Sequence, residues 1–480
     1  MNSITKNSIY KLTLNLFNLG IPLVIGPYAM RVLGANTMGQ IYYSETIYNY
    51  FLILSSFGLY QYGIRELSRI RNNKEKLKEV FTSLIIISFS ASLFTFTIFI
   101  LILNSVFNRG IEHTFLLVYS INIITNGLFV EWAIEALENY KFITIKTIII
   151  KIIYVILLVL LVKNPTDGVK YVSLFVLSTS LNNIISFIYI SIKIKFSIKN
   201  IQIKKHIKPL ILVVIIANIN TLFSQLDRFF LGTFSGDKAV AFYVLPQSII
   251  GSINGILMSM TTVLLPRLNS QLKNKGKEEY TSLLLQSTKK FFSILIPTTV
   301  GLFVLAKNAI VIYAGYDYLD SVNAMRIFSI YLFTLGIEYI LTNQIIYINK
   351  KENELLKFLV FSGIINLFFN TILVCFKALT PGTAILTTLI ANIILIIIEC
   401  IYIKKELYIN INLINSDNIR ISFVSLLFII IGWVSNIFFN NIIINTIFTV
   451  TISLIVYSIY SIKFDTILTK FFRKFIEFIK

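Results

Sequence analysis

Charged and chemically reactive side chains are scarce in this sequence. Only 14% of the 480 residues are charged, against about 25% in an ordinary soluble domain, while 56% are hydrophobic. The two cysteines, Cys375 and Cys400, and the two histidines, His113 and His206, are too few and too scattered for a disulfide framework or a zinc site. No glycine-rich phosphate loop is present, which excludes ATP hydrolysis by this chain. The composition predicts a polytopic membrane protein that is not an enzyme and holds no cofactor or metal.

The hydrophobic residues lie in long runs, and each run is a candidate transmembrane helix. A hydrocarbon core of about 30 Å requires about 20 apolar residues in helical form, because every backbone polar group must be paired within the segment. By this rule we predict an all-α fold with about fourteen transmembrane helices. The predicted spans are 9–33, 38–63, 80–104, 114–136, 145–162, 169–192, 209–232, 239–266, 286–306, 323–348, 355–376, 382–403, 421–438 and 442–462.

Negative charge is especially rare, with 23 acidic residues against 43 basic ones. If the N-terminus is cytoplasmic, most of the basic residues fall in connections on the cytoplasmic side, Lys141 and Lys146 among them, as short cytoplasmic loops require. The sequence therefore predicts a multi-pass protein of the plasma membrane with both termini in the cytoplasm. Anionic lipid headgroups attract basic loops, so the net charge of +20 does not indicate nucleic-acid binding.

The longest polar connection divides the first twelve predicted helices into two sets of six. An even number of helices gives the two sets the same topology, which is typical of transporters built from parallel repeats. We expect two pseudo-symmetric six-helix lobes and two extra helices near the C-terminus. The predicted parts are an N-lobe at 1–195 with helices 1–6, a cytoplasmic linker at 196–208, a C-lobe at 209–405 with helices 7–12, helices 13–14 at 419–463 and a cytoplasmic amphipathic tail at 464–480.

Polar residues recur at helical spacing on four of the predicted spans, which predicts a hydrated central cavity. A charged residue in mid-membrane costs about 2.5 to 3.5 kcal/mol on insertion scales, so each is a functional candidate. The alternative for the uncharged residues is hydrogen bonding between helices alone. The four faces carry Glu45, Asn49 and Ser56; Thr147, Lys151 and Tyr154; Asn218, Thr221, Gln225 and Arg228; and Gln247, Gly251 and Asn254.

Span one carries two prolines, Pro22 and Pro27, each of which removes a helix hydrogen bond and bends the chain before Arg31. Asn15 and Asn18 lie one turn below this predicted break. We predict that span one moves and faces the substrate; the alternative is a packing kink with Arg31 extending to the outer headgroups.

Several acidic residues are candidates for coupling or gating. Glu131 and Glu135 share a face of span four, and we interpret them as an inner gate or as ion-pair partners of Lys141 and Lys146. Glu338, near the middle of span ten, is a candidate for binding a proton or sodium ion, and Glu45 is set almost as deep.

Two further charged residues complete the predicted site. Asp227 lies off the polar face of span seven, and Arg326 near the outer end of span ten could serve substrate or lipid.

Several stretches resemble the oligosaccharide flippases of bacterial surface-polysaccharide synthesis, the Wzx-type branch of the multidrug/oligosaccharidyl-lipid/polysaccharide (MOP) superfamily that also holds the MATE exporters. One carries a PYxxRxLG pattern, a second carries GxRE, and others contain acidic and aromatic residues in the middle of the chain. The residues are Pro27, Tyr28, Arg31, Leu33 and Gly34; Gly63, Arg65 and Glu66; Glu131, Trp132, Glu135 and Glu138; and Gln225, Asp227 and Arg228, followed by Pro266 and Arg267.

The resemblance implies export of undecaprenyl-diphosphate-linked repeat units across a bacterial cytoplasmic membrane by alternating access. A cationic cavity containing Arg31, Lys151 and Arg228 would attract the diphosphate, Asn and Gln side chains would bind sugar hydroxyls, and H⁺ or Na⁺ and a polysaccharide polymerase are possible partners. A lipid II flippase or a cation-coupled drug exporter of the same superfamily is the first alternative. A membrane-embedded glycosyltransferase or polymerase is the second.

Overall fold

The computed structural model describes residues 3–106, 110–197, 199–410 and 416–463, which are helical and contain no β-strand. The α-helices are α1 Ser3–Ser56, α2 Leu59–Ile70, α3 Lys74–Val106, α4 Ile111–Asn126, α5 Glu131–Ala136, α6 Tyr140–Leu161, α7 Gly168–Lys193, α8 Ile203–Ser224, α9 Leu226–Phe234, α10 Asp237–Thr262, α11 Leu265–Asn274, α12 Lys277–Val304, α13 Ala306–Ala314, α14 Ser321–Tyr339, α15 Glu352–Cys375, α16 Pro381–Glu406, α17 Ser416–Phe438 and α18 Ile442–Lys463. Short 3-10 turns lie at Pro165–Asp167 and Tyr316–Tyr318, and a π-helical turn lies at Ile340–Ile346. The predicted all-α fold is confirmed.

Every predicted membrane span falls on one helix or on two consecutive ones. Among the described residues, 11 helices are long and apolar enough to cross a membrane, or 12 if the pair α12 and α13, bent by 72°, is one span. The stretch Lys6–Ile70 counts once in that number although it holds the first two predicted spans. The seventh predicted span, on α8 and α9, is not among the 11.

The first helix changes direction at a glycine rather than at its prolines. α1 runs through Pro22 and Pro27, and its non-helical residue is Gly34, with φ 73° and ψ 170°. The break thus follows Arg31 instead of preceding it. A positive φ suits glycine, which has no Cβ, whereas the fixed φ of proline, about −65°, is close to the helical value.

The chain divides into two compact units between Ala241 and Phe242, inside α10. Helices α8 and α9 belong to the first unit, where they pack against α1, α2 and α3. The division into lobes at 1–195 and 209–405 concerns repeats along the chain and stays a prediction. The predicted amphipathic tail at 464–480 lies outside the described residues.

An apolar core in the first unit holds α5 in place. Trp132 and Phe81 are fully buried, with their ring centroids 5.9 Å apart, in a cluster that joins α2, α3 and α5. Burial of such large aromatic side chains contributes a few kcal/mol each. The short helix α5 is therefore fixed, and so are Glu131 and Glu135, which it carries.

Helix α9 lies very close to the second half of α1. A Cβ at Gly232 would be 2.1 Å from Cδ2 of Tyr43, so this approach requires glycine. The Tyr43 hydroxyl is also 3.0 Å from the hydroxyl of Thr233, a hydrogen-bonding distance. The contact fixes Arg228 on α9 relative to Glu45 on α1.

Candidate functional site

Lys151 and Asn18 meet where α6 lies beside α1. Nζ of Lys151 donates a hydrogen bond of 2.7 Å to Oδ1 of Asn18, and both side chains are partly buried. In the described part of the chain, no carboxylate oxygen lies within 4 Å of this ammonium group. Glu131 acts on it through its charge from a greater distance. Two residues predicted from separate spans are thus brought together, and a neutral amide contacts the positive charge.

Lys146, on the same helix, has a very different environment. Its Nζ donates to Oε1 of Glu131 at 2.7 Å, to Oγ of Ser186 at 2.5 Å and to the carbonyl oxygen of Asn182 at 3.1 Å. The Asn182 amide also donates to Oε1 of Glu131 at 2.8 Å. Only 4% of the Lys146 side chain is exposed. The predicted ion pair between Glu131 and Lys146 is therefore confirmed, and buried acceptors from α5 and α7 satisfy the ammonium group.

The other glutamates of this region also have partners. Glu135 accepts a 2.7 Å hydrogen bond from the Tyr60 hydroxyl and lies 3.3 Å from Nζ of Lys11. Glu138 pairs with Arg71. These contacts link α1, α2 and α5, so the structure shows ion pairing for Glu131 and Glu135, and a gating role stays a prediction.

Glu45 lies among tyrosines in the first unit. Tyr48 and Tyr119 stack with their ring centroids 4.7 Å apart, and the charge of Glu45 acts on Tyr119 and Tyr154. Arg228 is the opposite charge that acts on Glu45. The structure therefore relates two predicted site residues, Glu45 and Arg228, through their charges.

Four more predicted residues lie in the first unit, on α1, α8 and α9 or at their junction. Asn218 donates to the carbonyl oxygen of Val214 on its own helix at 2.9 Å. Gln225 is buried at the junction of α8 and α9, Asp227 is 1% exposed and Asn49 is partly buried. Their roles in substrate binding or coupling stay predictions.

The remaining predicted residues are more dispersed. Asn15, Arg31 and Arg326 have exposed side chains, while Gln247 and Asn254 on α10 are partly buried. In the described part of the chain, Oδ1 of Asn254 is buried without a hydrogen-bond donor. Asn15 and Arg31 belong to the first unit, and Gln247, Asn254 and Arg326 belong to the second.

An apolar hollow of about 430 Å³ lies on the same two helices as that pair. Phe17 and Ile21 of α1 and Ile152 and Val155 of α6 are among its lining residues. They are close in sequence to Asn18 and Lys151. The hydrogen-bonded cation and the apolar hollow therefore lie on the same pair of helices.

The Asp167 carboxylate lies between α6 and α7, outside the predicted spans, and is stabilised by several hydrogen-bond donors. The Lys170 ammonium, 2.7 Å away, and the amide groups of Lys163 and Asn164, at 2.9 and 3.0 Å, lower the pKa of Asp167 to about 2. The carboxylate also belongs to a capping box with Asn164. It orders the connection that follows α6.

Sequence reasoning missed three polar residues inside the helices. Asn182 and Ser186 contact Lys146, and their spacing of four residues on span six was the available signal. Glu399 is 0% exposed, yet it lies near the basic end of α16 at Lys404 and Lys405, where a carboxylate is ordinarily solvated. No group of three or more possible metal ligands among His, Cys, Asp and Glu occurs in the residues that the structure describes.

Comparisons with known proteins agree with this architecture. Residues 4–273 match the family model described as polysaccharide biosynthesis protein. A protein of Shigella dysenteriae, provisionally named an O-antigen transporter, is 24% identical over 360 residues, which cover 73% of this chain and 88% of that protein. A protein of Escherichia coli K12 with the same name is 22% identical over 416 residues, or 83% of this chain and 94% of the relative.

Among solved structures, the fold is similar to that of an inward-facing multidrug resistance MATE family transporter of the MOP superfamily. The TM-score is 0.59 at 16% identity, and the match covers 84% of this chain and 94% of the other. The likeness confirms the predicted MOP/MATE-like fold of a multi-pass membrane protein. Because the family model matches more than half of the sequence, this chain belongs to the polysaccharide biosynthesis protein family.

Proposed function

We propose that this protein is a flippase that moves undecaprenyl-diphosphate-linked oligosaccharide repeat units across the bacterial cytoplasmic membrane for surface-polysaccharide synthesis. The relatives named for O-antigen transport support this substrate class, and the family is one of polysaccharide biosynthesis. The substrate site opens to one side of the membrane at a time, and both termini lie in the cytoplasm.

The observation that carries the proposal is the environment of Lys151. A lysine within a membrane helix is costly unless a partner or a ligand compensates its charge. In the described residues its contact is the neutral Asn18 amide, with no carboxylate within 4 Å. The charge is therefore available to a phosphate oxygen, and a lipid-linked diphosphate carries several.

The apolar hollow beside this pair fits the other end of the same substrate. A lipid-linked sugar joins an isoprenoid chain to an anionic diphosphate, so its site needs an apolar surface directly next to a cation. The hollow on α1 and α6 provides that surface within a few residues of Lys151. Asn18 holds the ammonium group in position and keeps an amide nitrogen for a phosphate or sugar oxygen.

The direct test is transport by the purified protein in liposomes. A fluorescent short-chain polyprenyl diphosphate disaccharide is incorporated into both leaflets as the liposomes form, and a membrane-impermeant quencher reports how much of it reaches the outer leaflet. We expect the wild-type protein to make nearly all of the label accessible, while empty liposomes protect about half. Equal protection in both would contradict the proposal. Efflux of a cationic dye in place of lipid movement would favour the drug-exporter alternative.

A further inference from the structure

Two carboxyl groups, the partly buried Glu338 and the fully buried Glu399, lie in the second unit on helices that pack together. Oε2 of Glu338 on α14 accepts a 2.6 Å hydrogen bond from the Asn392 amide of α16. Oε1 of Glu399 on α16 accepts a 2.9 Å hydrogen bond from the Thr342 hydroxyl, just after α14. Each helix thus contributes one carboxyl group and one neutral donor.

The backbone between Glu338 and Thr342 is irregular. Residues Ile340–Ile346 form a π-helical turn, with a hydrogen bond of 2.9 Å from the amide of Tyr347 to the carbonyl of Thr342. Such single turns inside α-helices occur frequently at functional sites. The wider turn sets the direction of the Thr342 hydroxyl toward Glu399.

This cluster contains acceptor oxygens that lack a donor. Glu399 is 0% exposed, and its Oε2 has no hydrogen-bond partner in the described part of the chain. The same is true of Oδ1 of Asn392, a residue that is 6% exposed. Unsatisfied buried acceptors cost free energy, and a proton on a carboxyl oxygen would turn one of these acceptors into a donor.

The surrounding charges do not neutralise the two carboxyl groups. Glu338 is the charged group that acts on Glu399, and no basic nitrogen among the described residues lies within 4 Å of either. The titratable side chains on these and the adjoining helices include Arg267 and Lys273 of α11, Tyr280, Lys289 and Lys290 of α12, Lys307 of α13, Arg326, Tyr331 and Tyr339 of α14, Glu352, Glu354 and Lys357 of α15, and Cys400, Tyr402, Lys404, Lys405 and Glu406 of α16. Of these, the Cys400 thiol is next to Glu399 in the sequence, and the charge of Glu399 acts on it.

We propose that Glu338 and Glu399 share one exchangeable proton and form the proton-binding site that couples transport to the proton gradient. The coupling role deepens the proposed function and rests on it. The proton-binding site does not depend on which substrate is transported. Two interacting carboxyl groups in a buried site without a cation cannot both stay ionised. Glu338 is partly exposed while Glu399 is fully buried, so the proton would exchange with water through Glu338.

The test measures protonated carboxyl groups in the purified protein by infrared difference spectroscopy across a pH titration, without any substrate. We expect the wild-type protein to show a protonated-carboxyl band near neutral pH that disappears in alkali. Glu399→Gln should remove the band, and Glu338→Gln should shift its frequency and lower the pH at which it disappears, while Glu354→Gln, on the neighbouring α15, should leave it unchanged.

Each result decides the question. Absence of the band from the wild-type protein near neutral pH would overturn the proposal even if a variant fails to fold, and so would its persistence in Glu399→Gln or an unchanged band in Glu338→Gln. A band that vanishes on adding Na⁺ at constant pH would assign the site to sodium and also overturn it. If the band behaves as expected and liposome transport fails, the proton site stands and the proposed function falls.

Discussion

Two lysines on α6 show the difference between a charge that holds a membrane protein together and one that is available to a ligand. Lys146 contacts Glu131, Ser186 and Asn182, with only 4% of its side chain exposed. Lys151 contacts the amide oxygen of Asn18. Both lysines lie on the same helix, so the neighbouring helices decide whether each charge is neutralised. The predictions below test this difference, from the largest expected effect to the smallest.

Removal of one partner of the buried pair should have the largest effect. Lys146→Ala leaves the Glu131 carboxylate buried without its cation, and a broken buried pair costs about 3–5 kcal/mol. We expect little Lys146→Ala protein in the membrane and a much lower Tm in detergent. Because replacing both partners by apolar residues is often neutral, the double variant Lys146→Met/Glu131→Leu should recover most of the abundance. Equal loss in the single and double variants would contradict this assignment.

Asn18→Ala should have an intermediate effect that concerns export rather than stability. The variant removes the hydrogen bond that positions the ammonium group of Lys151, and bonds to charged groups are worth about 1.5–3 kcal/mol. We expect normal abundance with export reduced about tenfold, measured as surface polysaccharide per cell. Thr13→Ala, on the same helix with an exposed side chain, is the matched control. Equal export from the two variants would show that Asn18 does not position Lys151.

Thr147 should matter less, because its hydroxyl donates a 3.2 Å hydrogen bond to Oδ1 of Asn182, at the edge of the Lys146 cluster. Interhelical hydrogen bonds of this kind contribute about 0.6 kcal/mol in membranes. Thr147→Val should therefore lower the Tm by about 1 °C and leave export unchanged. A loss as large as that of Lys146→Ala would mean that the network around Glu131 depends on this hydroxyl.

The smallest effect is expected for the carboxylate that lies outside the predicted spans. The pKa of Asp167 is lowered to about 2, below the value near 3.9 of an unfolded Asp. Its contribution to stability is therefore complete above about pH 4 and lost as the pH falls toward 2. Asp167→Asn should lower the Tm slightly near neutral pH and flatten its decline in acid. An unchanged acid profile would show that other carboxylates determine it.

The helices could be predicted from the sequence because an apolar run that spans a membrane must pair its own backbone groups, which a helix does. The break in α1 was placed differently, because Pro22 and Pro27 remain compatible with a helix while Gly34 adopts a positive φ. Residues 307–322, which connect the ninth and tenth predicted spans, contain most of α13 and a 3-10 turn. Short helices like these lack the length that makes membrane spans recognisable.

The site was harder to predict than the helices. Helical phase placed Lys151 on a polar face, but only the packing of α1 on α6 could show that Asn18 is its partner. Glu399 was missed although it lies inside the twelfth predicted span, because its bond to Thr342 forms only where α14 and α16 pack together. Burial inside a bundle depends on neighbouring helices, so spacing along one helix does not reveal it.

The central claim is that the charge of Lys151 binds the diphosphate of the substrate, and the most direct measurement is binding of a short-chain polyprenyl diphosphate to the purified protein. Lys151→Ala should raise the Kd at least about tenfold, as loss of a charge-assisted hydrogen bond implies. Lys151→Arg should keep part of the affinity, and Lys170→Ala, in an exposed position, should not change it. A wild-type Kd in a folded Lys151→Ala protein would contradict the account.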